Sequence, residues 1–360
     1  MSEAQQKRIM LPSDPLVEVW RGPIVESRHG GHIVAVDGDS HIVARLGEPE
    51  IVTYLRSSAK PHQAFPLVAA GAAECFGFTD REIAVACGSH SGEPVHEETV
   101  AAMLRKIGLA ESALKCGIHE PFSREVAQEM KERGERPRVL QNNCSGKHTG
   151  MLALALHLNA PTADYDQPDN PVQRAIKETV SRFSGLPASE IAVGVDGCGV
   201  PVFGMPLGAM ALMYARLVAP PADFSEHERA ACERIVASMT TYPEMVGGTT
   251  ERLDTEMMRA APGVISKVGA EGVYLAGVKP CAEWPRGLGL ALKIEDGEDR
   301  RARPTVVIES LRQLRLLNDD ALASLTPYAR FAVRNHRGDH VGEVRPNFEL
   351  KMSRYSFREE

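Results

Sequence analysis

Short β-branched runs open and close this chain, and helix-periodic stretches fill the middle. Residues 17–20, 24–26, 33–36 and 51–54 are rich in Val and Ile. Gly22-Pro23, Gly30-Gly31 and Asp37-Gly38-Asp39 separate them as turn signals, so the N-terminal part predicts a β-meander. Residues 61–71 are apolar around most of a helical circumference and predict a buried helix. Thr79 followed by Glu82 has the form of a capping box. Further helices are predicted at about 96–107, 123–133, 151–158 and 171–183, and residues 191–195 read as a buried strand. Residues 207–260 are mostly helical in pattern. The runs 264–268, 272–278 and 289–294 form a second meander, followed by a helix at about 304–317 and a short strand near Val341. Strands at both ends with helices between predict an α+β fold, in which the terminal strands share one antiparallel sheet flanked by helices. No repeat, linker or composition break divides the chain. The expectation is a single domain over residues 1–360, with 1–14 and 352–360 peripheral.

Composition narrows the function by exclusion. Of 360 residues, 43% are apolar and 25% charged, with a net charge of −7, ordinary for a soluble globular protein. A net negative chain without a basic face offers no electrostatic footprint for nucleic acid. No run of about 20 apolar residues is present, which excludes a transmembrane helix. The first residues lack the apolar stretch of a signal peptide, so a cytoplasmic location is expected. Seven cysteines without an export signal argue against structural disulfides.

The densest chemistry lies at residues 56–62. Ser57 and Lys60 stand three apart, a spacing that puts both side chains on one face of a helical turn. A partly desolvated lysine near other cations can lose its proton and activate a serine hydroxyl. Ser-x-x-Lys is the acylation pair of penicillin-recognising serine enzymes. It recurs at Ser112 and Lys115, where nothing else catalytic accompanies it. Pro61 disfavours helical geometry at Lys60, so the turn is expected to be tight or distorted. Residues 87–94 form a loop dense in glycine and hydroxyls that suits close backbone approach to a small ligand; Ser89 lies in it. Lys267 ends a predicted strand just before Gly269, a relation reminiscent of the Lys-Thr-Gly element of Ser-x-x-Lys enzymes, with Val268 where the hydroxyl would be.

Gly146, Lys147 and Thr149 do not make a phosphate loop, because Gln141 and His148 occupy positions that need glycine and a hydroxyl. Cys144 and Cys198 sit at glycine-rich junctions rather than inside apolar runs, where structural cysteines more often lie. Cys144 with His148 or with Lys147, and Cys198 with Asp196, could assemble sulfur and nitrogen ligands for zinc, although the spacing fits no standard zinc pattern.

Taken together, residues 56–63, 87–94, 142–152, 196–201 and 267–272 resemble the Rhizobium-type (class 3) L-asparaginases. The match runs from about residue 15 to residue 350, with no departure at the key positions. The resemblance implies a fold like the serine β-lactamases and bacterial glutaminases, and a homodimer acting on L-asparagine. It implies two Ser–Lys pairs, Ser57 with Lys60 and Ser89 with Lys267. A zinc ion bound by Cys144, Lys147 and Cys198 is implied as well, with Arg56, His90, Asn143 and Asp196 supporting the substrate. Rivals are a glutaminase of mixed specificity, a β-lactamase-like serine amidohydrolase and a non-catalytic amino-acid sensor. The presence of Ser57, Lys60, Ser89 and Lys267 together speaks against the sensor.

Overall fold

A computed structural model describes residues 13–329 and 331–353. Its strands in chain order are β1 (Asp14–Arg21), β2 (Ile24–Asp37), β3 (Ile42–Leu46), β4 (Val52–Tyr54), β5 (Ala192–Val195), β6 (Pro201–Pro206), β7 (Val264–Val268), β8 (Val273–Val278), β9 (Leu288–Ile294), β10 (Ala332–Arg334), β11 (His340–Pro346) and β12 (Lys351–Met352). The helices that matter below are α1 (Lys60–Ala69), α2 (Asp80–Ala86), α3 (Pro94–Lys106), α4 (Arg124–Glu132), α5 (Ser145–His157), α6 (Pro171–Ser184), α7 (Leu207–Val218), α8 (Glu226–Thr241), α9 (Ala302–Gln313) and α10 (Asp319–Ala329). The chain divides into two compact units. One comprises residues 1–58, 205–221 and 257–360; the other comprises 59–204 and 222–256.

The first unit is built on an antiparallel sheet in the order β10-β11-β1-β2-β9-β8-β7, with β3 on β2 and β12 on β3. The two ends of the chain therefore share one sheet, as their alternating patterns predict. Helix α7 packs on β2, β8 and β9, and α9 packs on β1, β9 and β11. One turn expectation fails. Gly30 and Gly31 lie within β2 rather than between strands. Their small size serves packing: a Cβ on Gly31 would stand 2.2 Å from the Lys293 carbonyl oxygen of β9. Strand β3 and helix α10 fall where no element was expected.

The second unit is mainly helical. Helix α1 packs against α5, α6 and α8, and α2 packs against α5 and α8. The Thr79 capping box forms as predicted: Thr79 Oγ1 accepts from the Glu82 N–H, and Glu82 Oε2 accepts from the Thr79 N–H at 2.7 Å. Two expectations need correction. Strand β5 is not buried, since Val193 and Val195 are 42% and 78% exposed. Helix α5 starts at Ser145 rather than Met151, which moves Lys147 and His148 from a preceding loop onto its first turn. The polar residues there misled the periodicity, because they face a buried polar cluster rather than solvent.

Candidate active site

In the first unit, Ser57 lies in a single 3-10 turn, Arg56–Ala59, that runs straight into α1, whose first turn contains Pro61. Lys60 is nonetheless helical, because Pro61 lies in the first turn of α1, where its missing N–H costs no hydrogen bond. The two adjacent serines have different surroundings. Ser58 is fully buried, its hydroxyl donates to the Leu55 carbonyl at 2.6 Å, and its own carbonyl accepts from Tyr214 Oη at 2.8 Å. Ser57 is half-buried. Arg56 before it has φ of 51°, a left-handed conformation that costs a non-glycine residue energy and persists only where its surroundings hold it. One restraint is an ion pair to Glu271, at 3.8 Å. A second is the close approach of Gly269, where a Cβ would stand 2.9 Å from the Leu55 carbonyl oxygen. The end of β7 that carries Lys267 is thereby brought against the turn that carries Ser57. Lys267 is fully buried, and its Nζ donates to the Val268 carbonyl at 3.1 Å.

The second unit gathers the remaining polar groups. Lys60 is fully buried, and its Nζ donates to Ser89 Oγ at 2.9 Å and to the Asn143 carbonyl at 3.0 Å. Burial lowers its pKa below the ordinary lysine value, and the charge of Lys147 adds to this while Cys144 and Cys198 oppose it. The backbone of Ser89 is fixed on both sides. Its N–H donates to the Val246 carbonyl at 2.8 Å, and its carbonyl accepts from Arg252 Nη2 at 2.8 Å. The partner the structure gives the Ser89 hydroxyl is thus Lys60. His90 is wholly internal: it stacks on His96 with ring centroids 4.9 Å apart, its Nδ1 accepts from the Gly92 N–H, and its Nε2 lies 2.9 Å from Ser145 Oγ. With both ring nitrogens engaged by protein groups, His90 supports the Ser89 loop. Burial, with His96 and Lys60 nearby, holds its pKa well below the usual histidine value.

Cys144, Lys147 and Cys198 converge. Lys147 Nζ lies 3.0 Å from Cys198 Sγ, and Cys144 Sγ lies 3.5 Å from Asn143 Oδ1. The Cys198 side chain, with Lys60 and Lys147, holds the Cys144 thiol well below its ordinary pKa against the effect of burial. Cys144 and burial raise Cys198, while Lys147 and the His148 ring act in the opposite direction. Burial alone would push Lys147 towards neutrality; Cys198, Cys144 and Asp196 more than offset it and raise its pKa. Asp196, half-buried, shapes the turn to Cys198 by accepting the Gly197 N–H on its own carboxylate at 2.9 Å. Among the described residues no group of three or more His, Cys, Asp or Glu side chains is arranged to hold a metal. The convergent set here is two sulfurs and one amine. Its chemistry fits a thiophilic divalent cation: the Lys147 ammonium already lies 3.0 Å from one of the sulfurs, and a bound dication eases loss of its proton.

Three participants carry no sequence signal. Cys116 is buried nearby, its thiol pushed up to about 12 chiefly by burial and then by Cys198. His119 Nε2 accepts from the Asn143 N–H at 3.0 Å. Tyr165 lies against His148. None has a motif spacing, because each reaches the cluster from a distant loop.

A family model for L-asparaginase II matches residues 17–346, nearly the whole chain. The chain accordingly belongs to the L-asparaginase II family. No curated protein matches it in sequence. Among solved structures it is similar to native Mglu, with 14% identity over 82% of this chain and 63% of that one and a TM-score of 0.41. It thus spans less than two thirds of the length of that Mglu chain. It is also similar to the Bacillus subtilis glutaminase YbgJ in covalent complex with 5-oxo-L-norleucine, with 11% identity over 83% and 93% of the two chains and a TM-score of 0.37. A probable glutaminase from Bacillus subtilis complexed with 6-diazo-5-oxo-L-norleucine gives 12% identity, 88% and 90% coverage and a TM-score of 0.37.

Proposed function

We propose that the protein hydrolyses L-asparagine to L-aspartate and ammonia, with Ser57 as nucleophile, Lys60 as its base and Ser89 as proton relay. The observation that carries this reading is the buried Lys60 amine, lowered in pKa and hydrogen-bonded to Ser89 Oγ at 2.9 Å. A desolvated lysine is neutral at a lower pH than a free one, and a neutral lysine can take a hydroxyl proton. Ser57 lies three residues before it in the chain, the spacing of a Ser-x-x-Lys pair.

In the first step Lys60 takes the Ser57 proton and Oγ attacks the side-chain amide carbon. The tetrahedral oxyanion is stabilised by backbone N–H groups, worth about 3–4 kcal/mol each where such donors have been removed. Lys60 then returns its proton through the Ser89 hydroxyl to the amide nitrogen; the C–N bond breaks, ammonia leaves and a β-aspartyl ester stays on Ser57. Water, deprotonated by Lys60, attacks the ester carbon, the C–O bond to Ser57 breaks, Lys60 returns the proton to the Ser57 oxygen and aspartate is released. Lys267, buried beside the Ser57 turn, holds the proton network. Cys144, Lys147 and Cys198 would hold zinc, which when bound supplies positive charge for orienting the substrate's α-carboxylate and α-amine. Arg56, Asn143 and Asp196 are assigned to substrate support, and His90 to holding the Ser89 loop.

The direct Lys60–Ser89 hydrogen bond also favours a second reading, in which Ser89 is the nucleophile. Ammonia release from L-asparagine by the wild type, Ser57→Ala and Ser89→Ala separates the two. We expect Ser57→Ala to abolish turnover and Ser89→Ala to retain a slow residual rate. The reverse ranking transfers the nucleophile to Ser89. A folded, zinc-supplemented wild type that releases no ammonia removes the asparaginase reading.

A further inference from the structure

Two loops hold the segment that carries Ser89, and both belong to the second unit. Residues 117–123 lie on one stretch of it. The Ser123 N–H donates to the Ser91 carbonyl at 3.0 Å, and a Cβ on Gly92 would stand 3.2 Å from Pro121 Cβ. Residues 247–252 lie on another stretch, where the Glu93 carboxylate accepts the Thr249 N–H at 3.1 Å. Arg252 ends this second loop, and its guanidinium reaches three oxygens. Nη2 donates to the Ser89 carbonyl at 2.8 Å, and Nη1 donates to Ser91 Oγ at 2.9 Å and to the Gly247 carbonyl at 3.2 Å. The guanidinium also lies over the Phe122 ring, 5.8 Å from its centroid.

These contacts close into a circuit through the Lys60 amine. Phe122 stacks on His119 with ring centroids 5.0 Å apart, and His119 Nε2 accepts the Asn143 N–H at 3.0 Å. The Asn143 carbonyl is in turn an acceptor of Lys60 Nζ, as Ser89 Oγ is. Two groups that receive the Lys60 amine are therefore held by one bracket: Arg252 on Ser89, His119 on Asn143, and Phe122 joining them. Phe122 is 54% exposed, so burial contributes little to fixing the ring there; its two neighbours do. The loop that carries Arg252 has anchors of its own. Besides the Glu93 contact, Thr255 Oγ1 donates to the Gly248 carbonyl at 2.8 Å and accepts from the Gly248 N–H at 3.3 Å. That loop does not depend on Arg252 for its closure, which leaves the bond to Ser89 as the distinctive use of the side chain.

We propose that Arg252, braced by Phe122, is a positioning residue that fixes the Ser89 backbone so that its hydroxyl stays on Lys60 Nζ. The inference rests on the reading that Ser89 relays protons for Lys60. It extends that reading to the groups that keep the pair aligned. A planar guanidinium suits the task, because its forked donors hold several oxygens in fixed directions, which a single ammonium does not.

The test is kcat and KM for L-asparagine, measured on the zinc-supplemented full chain for the wild type, Arg252→Met, Ser89→Ala and the double variant. Misplacing a reacting group by about 1 Å can cost about 100-fold. Arg252→Met should accordingly lower kcat by roughly 10–100-fold with KM little changed, and Arg252→Lys should recover part of the loss. In the Ser89→Ala background the same substitution should cost almost nothing, because the hydroxyl it positions is gone. Lost stability would instead reduce both backgrounds equally. An equal loss in both overturns the proposal. A raised KM at unchanged kcat also overturns it, by making Arg252 a substrate-binding residue. Phe122→Leu, a change at the surface, should lower kcat in the wild type and add nothing to Ser89→Ala or to Arg252→Met. It carries the test where Arg252→Met does not fold or Ser89→Ala has no measurable rate, and an additive loss from it overturns the proposal. A Ser89→Ala enzyme with wild-type kcat is a different failure, that of the relay reading itself. It is visible without any Arg252 variant, and the proposal falls with it.

Discussion

Lys60 has an ordinary pKa of 10.5, which burial lowers. In the proposed mechanism deprotonation of this residue activates the nucleophile, so kcat/KM should rise with pH along a limb whose midpoint lies below 10.5. Below that midpoint the ammonium form dominates and the rate falls. A profile that peaks near pH 5 would be incompatible with a lysine base. Lys60→Met should lower the rate by roughly 10²–10⁴, the usual contribution of a positioned base. At this scale the sequence was informative wherever partners are close along the chain. The Ser57–Lys60 spacing and the glycine-flanked Cys144 and Cys198 stood out as strings. The Lys60–Ser89 hydrogen bond spans 29 residues and has no local signature. The Ser89–Lys267 pairing came from the resemblance alone.

The first turn of α5 is the element on which the sulfur–amine cluster depends. Gly146 sits between Ser145 and Lys147, and a Cβ there would stand 2.6 Å from the Val85 carbonyl oxygen of α2. Two effects compete in Gly146→Ala. Alanine favours an interior helical position over glycine by about 1 kcal/mol. Overpacking against backbone costs about 1–3 kcal/mol, and here the obstructing atom is a carbonyl oxygen with no rotamer to escape into. The clash should win. We expect Gly146→Ala to lower the urea midpoint and to weaken metal uptake, since α5 must move away from α2 and carry Lys147 with it. Unchanged stability and unchanged uptake would show that the contact is relaxed in solution. The same contact explains why α5 was read as starting six residues late. Its first turn buries Ser145, Lys147, His148 and Thr149, and hydrophobic periodicity cannot register a face that is buried but polar. The Gly30-Gly31 error has a related origin, because glycine signals a turn and a close interstrand approach equally well.

Over the whole molecule, the shared terminal sheet was readable from alternation at both ends, and the helical middle from its period. The division into two units was not. The chain passes from one to the other after residues 58, 204, 221 and 256, and the first of these passages falls inside the 3-10 turn at Arg56–Ala59 and the second inside β6. A passage within a secondary element leaves no linker composition to detect. What crosses long stretches of chain in the second unit is the cysteine–lysine cluster. It joins the start of α5 to the turn before β6, so an ion bound there restrains two segments that are independent in the unfolded chain. A ligand that binds only the folded state stabilises it by RT ln(1 + [L]/Kd), about 2.7 kcal/mol at a free concentration one hundred times Kd. Adding zinc to the metal-stripped protein should therefore raise its thermal midpoint, and the rise should grow with zinc concentration. Cys144→Ser and Cys198→Ser should each abolish most of the increment, whereas Cys232→Ser, a buried cysteine of α8 outside the cluster, should keep it. A wild type whose midpoint ignores zinc would sink the assignment of these three residues as a metal site. A shift that survives loss of Cys198 would place the ion elsewhere.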